Sequence, residues 1–191
     1  LLQMGRWFGY RDGYQDLYIT QDNYNGNILL KNENGSFFTD VSYSSQTDLE
    51  VMGMGIAFGD INKDGLFDFY TTNLNENSLL LNSTNGVFSD ISSNSETQDM
   101  LGSMGWGTFF FDANNDGLED LYIGSGGNEF EENAPQFQDR IYLNLGSGNF
   151  ELANEALPEM LTATSVVVAD DFDHDGDLDL FVGGRLIPGK F

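Results

Sequence analysis

The chain has 191 residues, with 31 acidic side chains against 7 basic ones and a formal charge of −24. That balance excludes a protein that grips nucleic-acid phosphates through basic contacts. There is no cysteine, so disulfides cannot staple the fold and the redox compartment is not legible.

In chain order, the first signal is Phe8-Gly-Tyr10-Arg-Asp12-Gly13-Tyr14-Gln-Asp16, followed by the apolar run Leu17-Tyr-Ile19. Ile28-Leu-Leu-Lys-Asn32, a short Asn/Gly turn and Phe38-Thr-Asp40 then read as a hairpin. Next comes an acidic stretch, Asp60-Ile-Asn62-Lys-Asp64-Gly65-Leu66-Phe-Asp68, and a second hairpin, Ser78-Leu-Leu-Leu-Asn82 to Phe88-Ser-Asp90. The order returns with Asp112-Ala-Asn114-Asn-Asp116-Gly117-Leu118-Glu-Asp120, the strand signal Leu121-Tyr-Ile123, and the hairpin Arg140-Ile-Tyr-Leu-Asn144 to Phe150-Glu-Leu152. A last acidic stretch reads Asp171-Phe-Asp173-His-Asp175-Gly176-Asp177-Leu-Asp179. In each hairpin the Phe follows the Asn by six residues.

The acidic stretches start 52 and 59 residues apart, and stepping back 52 residues from Asp60 reaches Phe8. The chain therefore divides into repeats of approximately 1–50, 51–102, 103–163 and 164–191, each holding short strands around one acidic loop. About four strands per unit at a period near fifty points to an all-β fold, a partial β-propeller of four-stranded antiparallel blades. The runs Phe109-Phe-Phe111 and Val166-Val-Val168 lack polar alternation, which suits strands covered on both faces by neighbouring blades. Fewer than four units cannot close a ring, and Leu1 is not an initiator residue, so the expectation is an incomplete propeller from a longer polypeptide.

The acidic loops carry the chemistry. Oxygen side chains at positions 1, 3, 5 and 9 with glycine at 6 are what a hard cation requires, because alternate residues face the ion before a sharp turn. The expected ligands of calcium-binding hairpin loops are Asp60, Asn62, Asp64 and Asp68; Asp112, Asn114, Asp116 and Asp120; and Asp171, Asp173, Asp175 and Asp179. Leu66, Leu118 and Asp177, at position 7, would add backbone carbonyls. An EF-hand would instead close with Glu at position 12 and need flanking helices, whereas strand signals flank these loops. Asp, Asn and Gly also form metal-free turns, but three copies with an acid at position 9 favour a metal. About three Ca²⁺ ions are expected, with none in the first repeat, where Phe8 and Tyr10 replace the first two ligands and leave only Asp12 and Asp16. Sites with dissociation constants of ~10 μM in ~1 mM calcium would each stabilise the fold by about 2.7 kcal/mol. Three would reach ~8 kcal/mol, on the scale of a whole domain's stability, so a calcium-rich compartment is expected.

The third repeat carries about ten extra residues between Ser125 and Asp139, including Glu129, Phe130, Glu131, Glu132 and Phe137. Long loops in compact repeats are often functional, so an exposed Phe130 or Phe137 there is a candidate contact for a protein or glycan partner. The alternative is an insertion folded onto its own blade or the next one. No catalytic constellation is evident: the sole histidine, His174, sits at loop position 4, and there is no Gly-x-Ser-x-Gly elbow. Paired carboxylates leave a glycosidase or lyase pair open, although most serve better as calcium ligands. Arg6, Arg11, Arg140 and Arg185 are too scattered to form an evident anion site.

Three flanked loops, Phe58-Gly-Asp60 to Asp68-Phe-Tyr70, Phe110-Phe-Asp112 to Asp120-Leu-Tyr-Ile123 and Ala169-Asp-Asp171 to Asp179-Leu-Phe-Val-Gly-Gly-Arg185, resemble the FG-GAP/VCBS repeats shared with integrin α-subunit head domains. The stretch Gly183-Gly-Arg185-Leu-Ile-Pro-Gly189 is similar to bacterial repeat proteins of the ASPIC/UnbV group. The resemblance implies a propeller, usually seven-bladed, with calcium in the first hairpin loop of several blades. It also implies a bacterial extracellular or outer-membrane-surface protein, acting in adhesion, in binding or as an accessory module. A polysaccharide-active enzyme or lectin on the same blades is the other reading.

Overall fold

The computed structural model describes residues 2–7, 12–98, 102, 104–127 and 130–186. Its strands form four antiparallel sheets in which each strand pairs with its neighbour in sequence. The first holds β1 (Leu2–Trp7), β2 (Asp16–Gln21), β3 (Ile28–Glu33) and β4 (Phe37–Asp40). The second holds β5 (Gly53–Gly59), β6 (Asp68–Asn73), β7 (Ser78–Asn82) and β8 (Phe88–Asp90). The third comprises β9 (Met104–Phe111), β10 (Asp120–Gly126), β11 (Arg140–Gly146) and β12 (Asn149–Leu152), and a two-stranded sheet pairs β13 (Ala163–Asp170) with β14 (Asp179–Leu186). The fold is all-β, built of the expected four-stranded sheets.

Each acidic loop joins the first two strands of its sheet. The hairpins recognised from their Asn and Phe are β3–β4, β7–β8 and β11–β12, with Asn32 opposite Phe38, Asn82 opposite Phe88 and Asn144 opposite Phe150. In the first of these the turn residues Asn34 and Gly35 both take positive φ (55° and 75°), the left-handed pair whose twist suits a tight hairpin.

The core lies between sheets. Tyr18 and Leu29 of the first sheet pack with Phe69, Leu80 and Phe88 of the second. Phe69 stacks on both Tyr18 and Phe88, with ring centroids 4.6 and 4.5 Å away. A larger cluster joins Tyr70 and Leu79 to Leu121, Ile123, Tyr142 and Phe150 of the third sheet. Burial on both faces explains why β6 and β10 are buried along their whole length, with no outward polar face.

The first strands of successive sheets approach so closely that side chains are excluded. A Cβ on Gly55 would lie 1.9 Å from the Trp106 carbonyl oxygen, and one on Gly107 would lie 2.8 Å from that of Ser165. Thr72 Oγ1 also donates to the Trp106 carbonyl, at 2.9 Å. These contacts set the blade spacing.

Three features correct or complete the sequence reading. Val166 and Val168 are each 51% exposed, because β13 packs against β9 and β10 on one side and no further sheet among the described residues covers the other. After β4 and β8 the chain makes one-turn helices, α1 (Ser42–Ser45) and α2 (Ser92–Ser95). Their first serines accept the amides of Leu29 and Leu79 at 2.8 and 2.7 Å, tying each connection to the third strand. The insertion of the third repeat turns inward. Phe137, in a 3₁₀ turn over Pro135–Phe137, is fully buried, and Phe130 meets it edge to face at 5.8 Å while packing on Met54, Met104 and Trp106. Of the two readings of the insertion, the one folded onto the blades is the one these rings adopt. Two large rings gain more from leaving water than from staying in it. Glu131 and Glu132 remain exposed, and Glu129 lies outside the described residues.

Candidate metal centre

The loops Asp60–Asp68, Asp112–Asp120 and Asp171–Asp179 share one hydrogen-bond scheme. The Asp at position 1 accepts the amides of positions 5 and 6: Asp64 and Gly65 N–H donate to Asp60 at 3.0 and 2.8 Å, and Asp116 and Gly117 to Asp112 at 3.1 and 2.8 Å. In the last loop Asp175 and Gly176 donate to Asp171 at 3.1 and 3.2 Å. Position 3 accepts from position 5, through Asn62 (3.1 Å), Asn114 (3.0 Å) and Asp173 (3.2 Å). Position 5 accepts from position 7, where Leu66, Leu118 and Asp177 N–H donate at 2.8, 2.7 and 2.9 Å. The side-chain oxygens of positions 1, 3 and 5 are thereby turned into their own loop. Position 4 is left-handed in every copy, with φ of 58° at Lys63 and Asn115 and 62° at His174, and its side chain is exposed.

Position 9 has a second role that the sequence did not reveal. Asp68 accepts the Ile61 amide at 3.1 Å with one oxygen and the Asn82 amide at 2.8 Å with the other, and Asp120 does the same with Ala113 (2.8 Å) and Asn144 (2.7 Å). It thus locks the loop to the hairpin. In the first repeat Asp16 keeps this bond, accepting the Asn32 amide at 2.8 Å. That explains an acid at position 9 where Phe8 and Tyr10, which lie outside the described residues, replace the first two ligands. Arg11 and residues 187–189 lie outside them too.

Burial has an electrostatic cost. Asp68 is fully buried, and loss of water pushes its carboxyl up to about 7 despite the two amides it accepts. Burial raises Asp120 as well, again against two backbone donors. Asp116, fully exposed, is lowered by the Leu118 amide, then by Asn114, with a smaller contribution from Lys63.

In the last loop Asp171, Asp173 and Asp179 bring carboxylate oxygens within 4.8 Å of one another, the one such acidic group among the described residues. The loops Asp60–Asp68 and Asp112–Asp120 relieve the same crowding with Asn: Asn62 Nδ2 donates to Asp64 at 3.1 Å and Asn114 Nδ2 to Asp116 at 2.9 Å. The donors are carboxylate, amide and carbonyl oxygens without nitrogen or sulfur, a set that fits Ca²⁺ or another hard divalent ion and not a soft one. Leu66 and Leu118 have hydrocarbon side chains, so the backbone carbonyl is the only ligand position 7 could offer in those loops.

Neighbouring loops touch. Asn144 Nδ2 donates across the blade boundary to the Ile61 carbonyl at 2.9 Å and within its own blade to that of Glu119 at 3.0 Å. The Glu119 carboxylate accepts the Asp60 amide and is raised by burial. Asn115 Nδ2 donates to Asp177 Oδ1 at 3.1 Å.

Residues 10–71, 60–123 and 128–182 each match the FG-GAP-like repeat. No curated protein matches the chain significantly. With most of its length covered by three copies of that repeat, the chain belongs to the FG-GAP-like repeat family.

Proposed function

We propose that this chain is a calcium-stabilised propeller module of a larger bacterial cell-surface or secreted protein, serving adhesion, binding or the assembly of a surface complex. The observation that carries the reading is the repetition of one all-oxygen donor set in three loops, ending in the clustered Asp171, Asp173 and Asp179. All fifteen positions, Asp60, Asn62, Asp64, Leu66, Asp68, Asp112, Asn114, Asp116, Leu118, Asp120, Asp171, Asp173, Asp175, Asp177 and Asp179, are assigned to three Ca²⁺ ions. The first repeat is assigned none. Such sites fill at millimolar calcium and empty at sub-micromolar calcium, which supports a location outside the cell or on the outer-membrane surface. The segment from Gly183 to Arg185 supports placement near the ASPIC/UnbV group.

The partner, a protein or glycan, is assigned to the end of the sheets away from the acidic loops, where the 125–139 insertion emerges. A cleft of about 710 Å³ opens at the same end, lined by Tyr24, Glu50, Met52, Leu74, Asn75 and Gln98 among others. Its exposed Tyr24 beside amides and carboxylates favours a lectin-like variant of the binding reading. Thermal melting tests the calcium assignment. Chelator should lower the Tm by several degrees and added calcium restore it, whereas a Tm indifferent to both would refute it.

A further inference from the structure

At position 4, Lys63 and Asn115 have left-handed backbones and side chains that reach the loop of the following blade. Lys63 Nζ lies against the third-blade loop, 3.3 Å from where a Cβ on Gly117 would stand. Asn115, with the same φ of 58°, reaches Asp177 of the last loop at 3.1 Å. In the opposite direction Glu119 returns to the second-blade loop, where its Oε2 would lie 2.4 Å from a Cβ on Gly59 and its carboxylate accepts the Asp60 amide. Each acidic loop therefore sits in the field of a side chain borrowed from an adjacent blade: a carboxylate for Asp60–Asp68, an ammonium for Asp112–Asp120, a neutral amide for Asp171–Asp179.

We propose that these borrowed side chains tune the calcium affinity of the loops they reach, with Lys63 weakening the Asp112–Asp120 site. This rests on the calcium reading of the loops. A fixed positive charge beside a site lowers its affinity for a divalent cation, and it partly neutralises the carboxylates before the ion arrives. A carboxylate there does the reverse, and a neutral amide adds no charge to the five Asp side chains of the last loop.

The two position-4 residues share one backbone conformation and are both exposed, so they can be exchanged. Calcium titration of the chain, following the amide NMR signals of Gly65, Gly117 and Gly176, reads the loops separately. Lys63→Asn should lower the midpoint at Gly117 about fivefold and leave Gly176 unmoved. Asn115→Lys should raise the midpoint at Gly176 by a similar factor. If the glycine signals respond to calcium in the unsubstituted chain but neither exchange shifts its target loop, the inference fails alone. If no glycine signal responds to calcium, the calcium reading falls and this inference with it.

Discussion

Replacing Asn144 by alanine tests how firmly the blades are joined. Its side chain is 2% exposed and makes three hydrogen bonds: Nδ2 to the carbonyls of Ile61 (2.9 Å) and Glu119 (3.0 Å), and Oδ1 from the Gly146 amide at 2.8 Å. Asn32 is the equivalent residue of the first sheet. Its side chain bonds the Gln15 carbonyl (3.0 Å) and the Gly35 amide (2.7 Å) at an exposed site where water can replace both. Each bond contributes about 1 kcal/mol, and a buried carbonyl left without a donor costs about 1 to 3 kcal/mol more. Asn144→Ala should therefore cost about 4 to 6 kcal/mol, and Asn32→Ala, where water replaces both partners, roughly 1 kcal/mol. Equilibrium unfolding in urea at saturating calcium, with one probe for all proteins, measures both. A difference below ~0.5 kcal/mol would refute the claim that the Ile61–Asn144 bond joins the blades.

Gly55→Ala should destabilise by more than about 3 kcal/mol, because the Trp106 backbone cannot yield without moving a blade. Gly184→Ala, where the nearest atom to a new Cβ is 3.8 Å away, is its near-neutral control in the same unfolding assay. Asp16→Ala should lower stability equally with calcium and with chelator, since Asp16 acts through the Asn32 amide; Asp179→Ala, which removes one of three sites, should take away about a third of the calcium-induced rise in Tm. Melting curves under both conditions distinguish the two, and a calcium-dependent Asp16 effect would put a metal in the first repeat. Asp139 gives a pH test. It is 2% exposed, and burial raises its carboxyl although Thr164 Oγ1 (2.6 Å), Tyr122 OH (2.6 Å) and the Ser125 amide (2.7 Å) all donate to it. The folded state thus holds this proton more tightly than the unfolded chain. Its contribution is full below the ordinary carboxylate range and lost as pH rises through the raised value. Asp139→Asn should remove that part of the pH dependence, so unfolding curves of the two proteins that stay parallel from acid to neutral pH would refute it.

The sheets and loops were legible because both are local. Strand signals such as Leu121-Tyr-Ile123 and the six-residue step from Asn82 to Phe88 depend on near neighbours, and the acidic pattern writes its own turn. What was not legible depends on the adjoining blade. Met52-Gly-Met-Gly55 and Met104-Gly-Trp-Gly107 stand 52 residues apart in plain view, yet the need for glycine arises only where two backbones meet. Whether Phe137 is exposed or folded inward was open from sequence, because only the closed loop brings Phe130, seven residues away, against its ring. The acid at position 9 was read as a ligand alone, since its bond to the hairpin amide spans 14 residues from Asp68 to Asn82 and 24 from Asp120 to Asn144.

The neighbour-to-neighbour strand order also governs how such a chain acquires its structure. Each ladder pairs strands adjacent in sequence, most of them over a short connection, so the entropy lost in pairing is small and each sheet can form soon after its last strand leaves the ribosome. The apolar faces then wait for the next sheet. Tyr70 and Leu79 stay uncovered until Leu121 and Ile123 have been synthesised. Growth is thus vectorial: each finished sheet is the template on which the following one docks, and an interruption leaves an adhesive face.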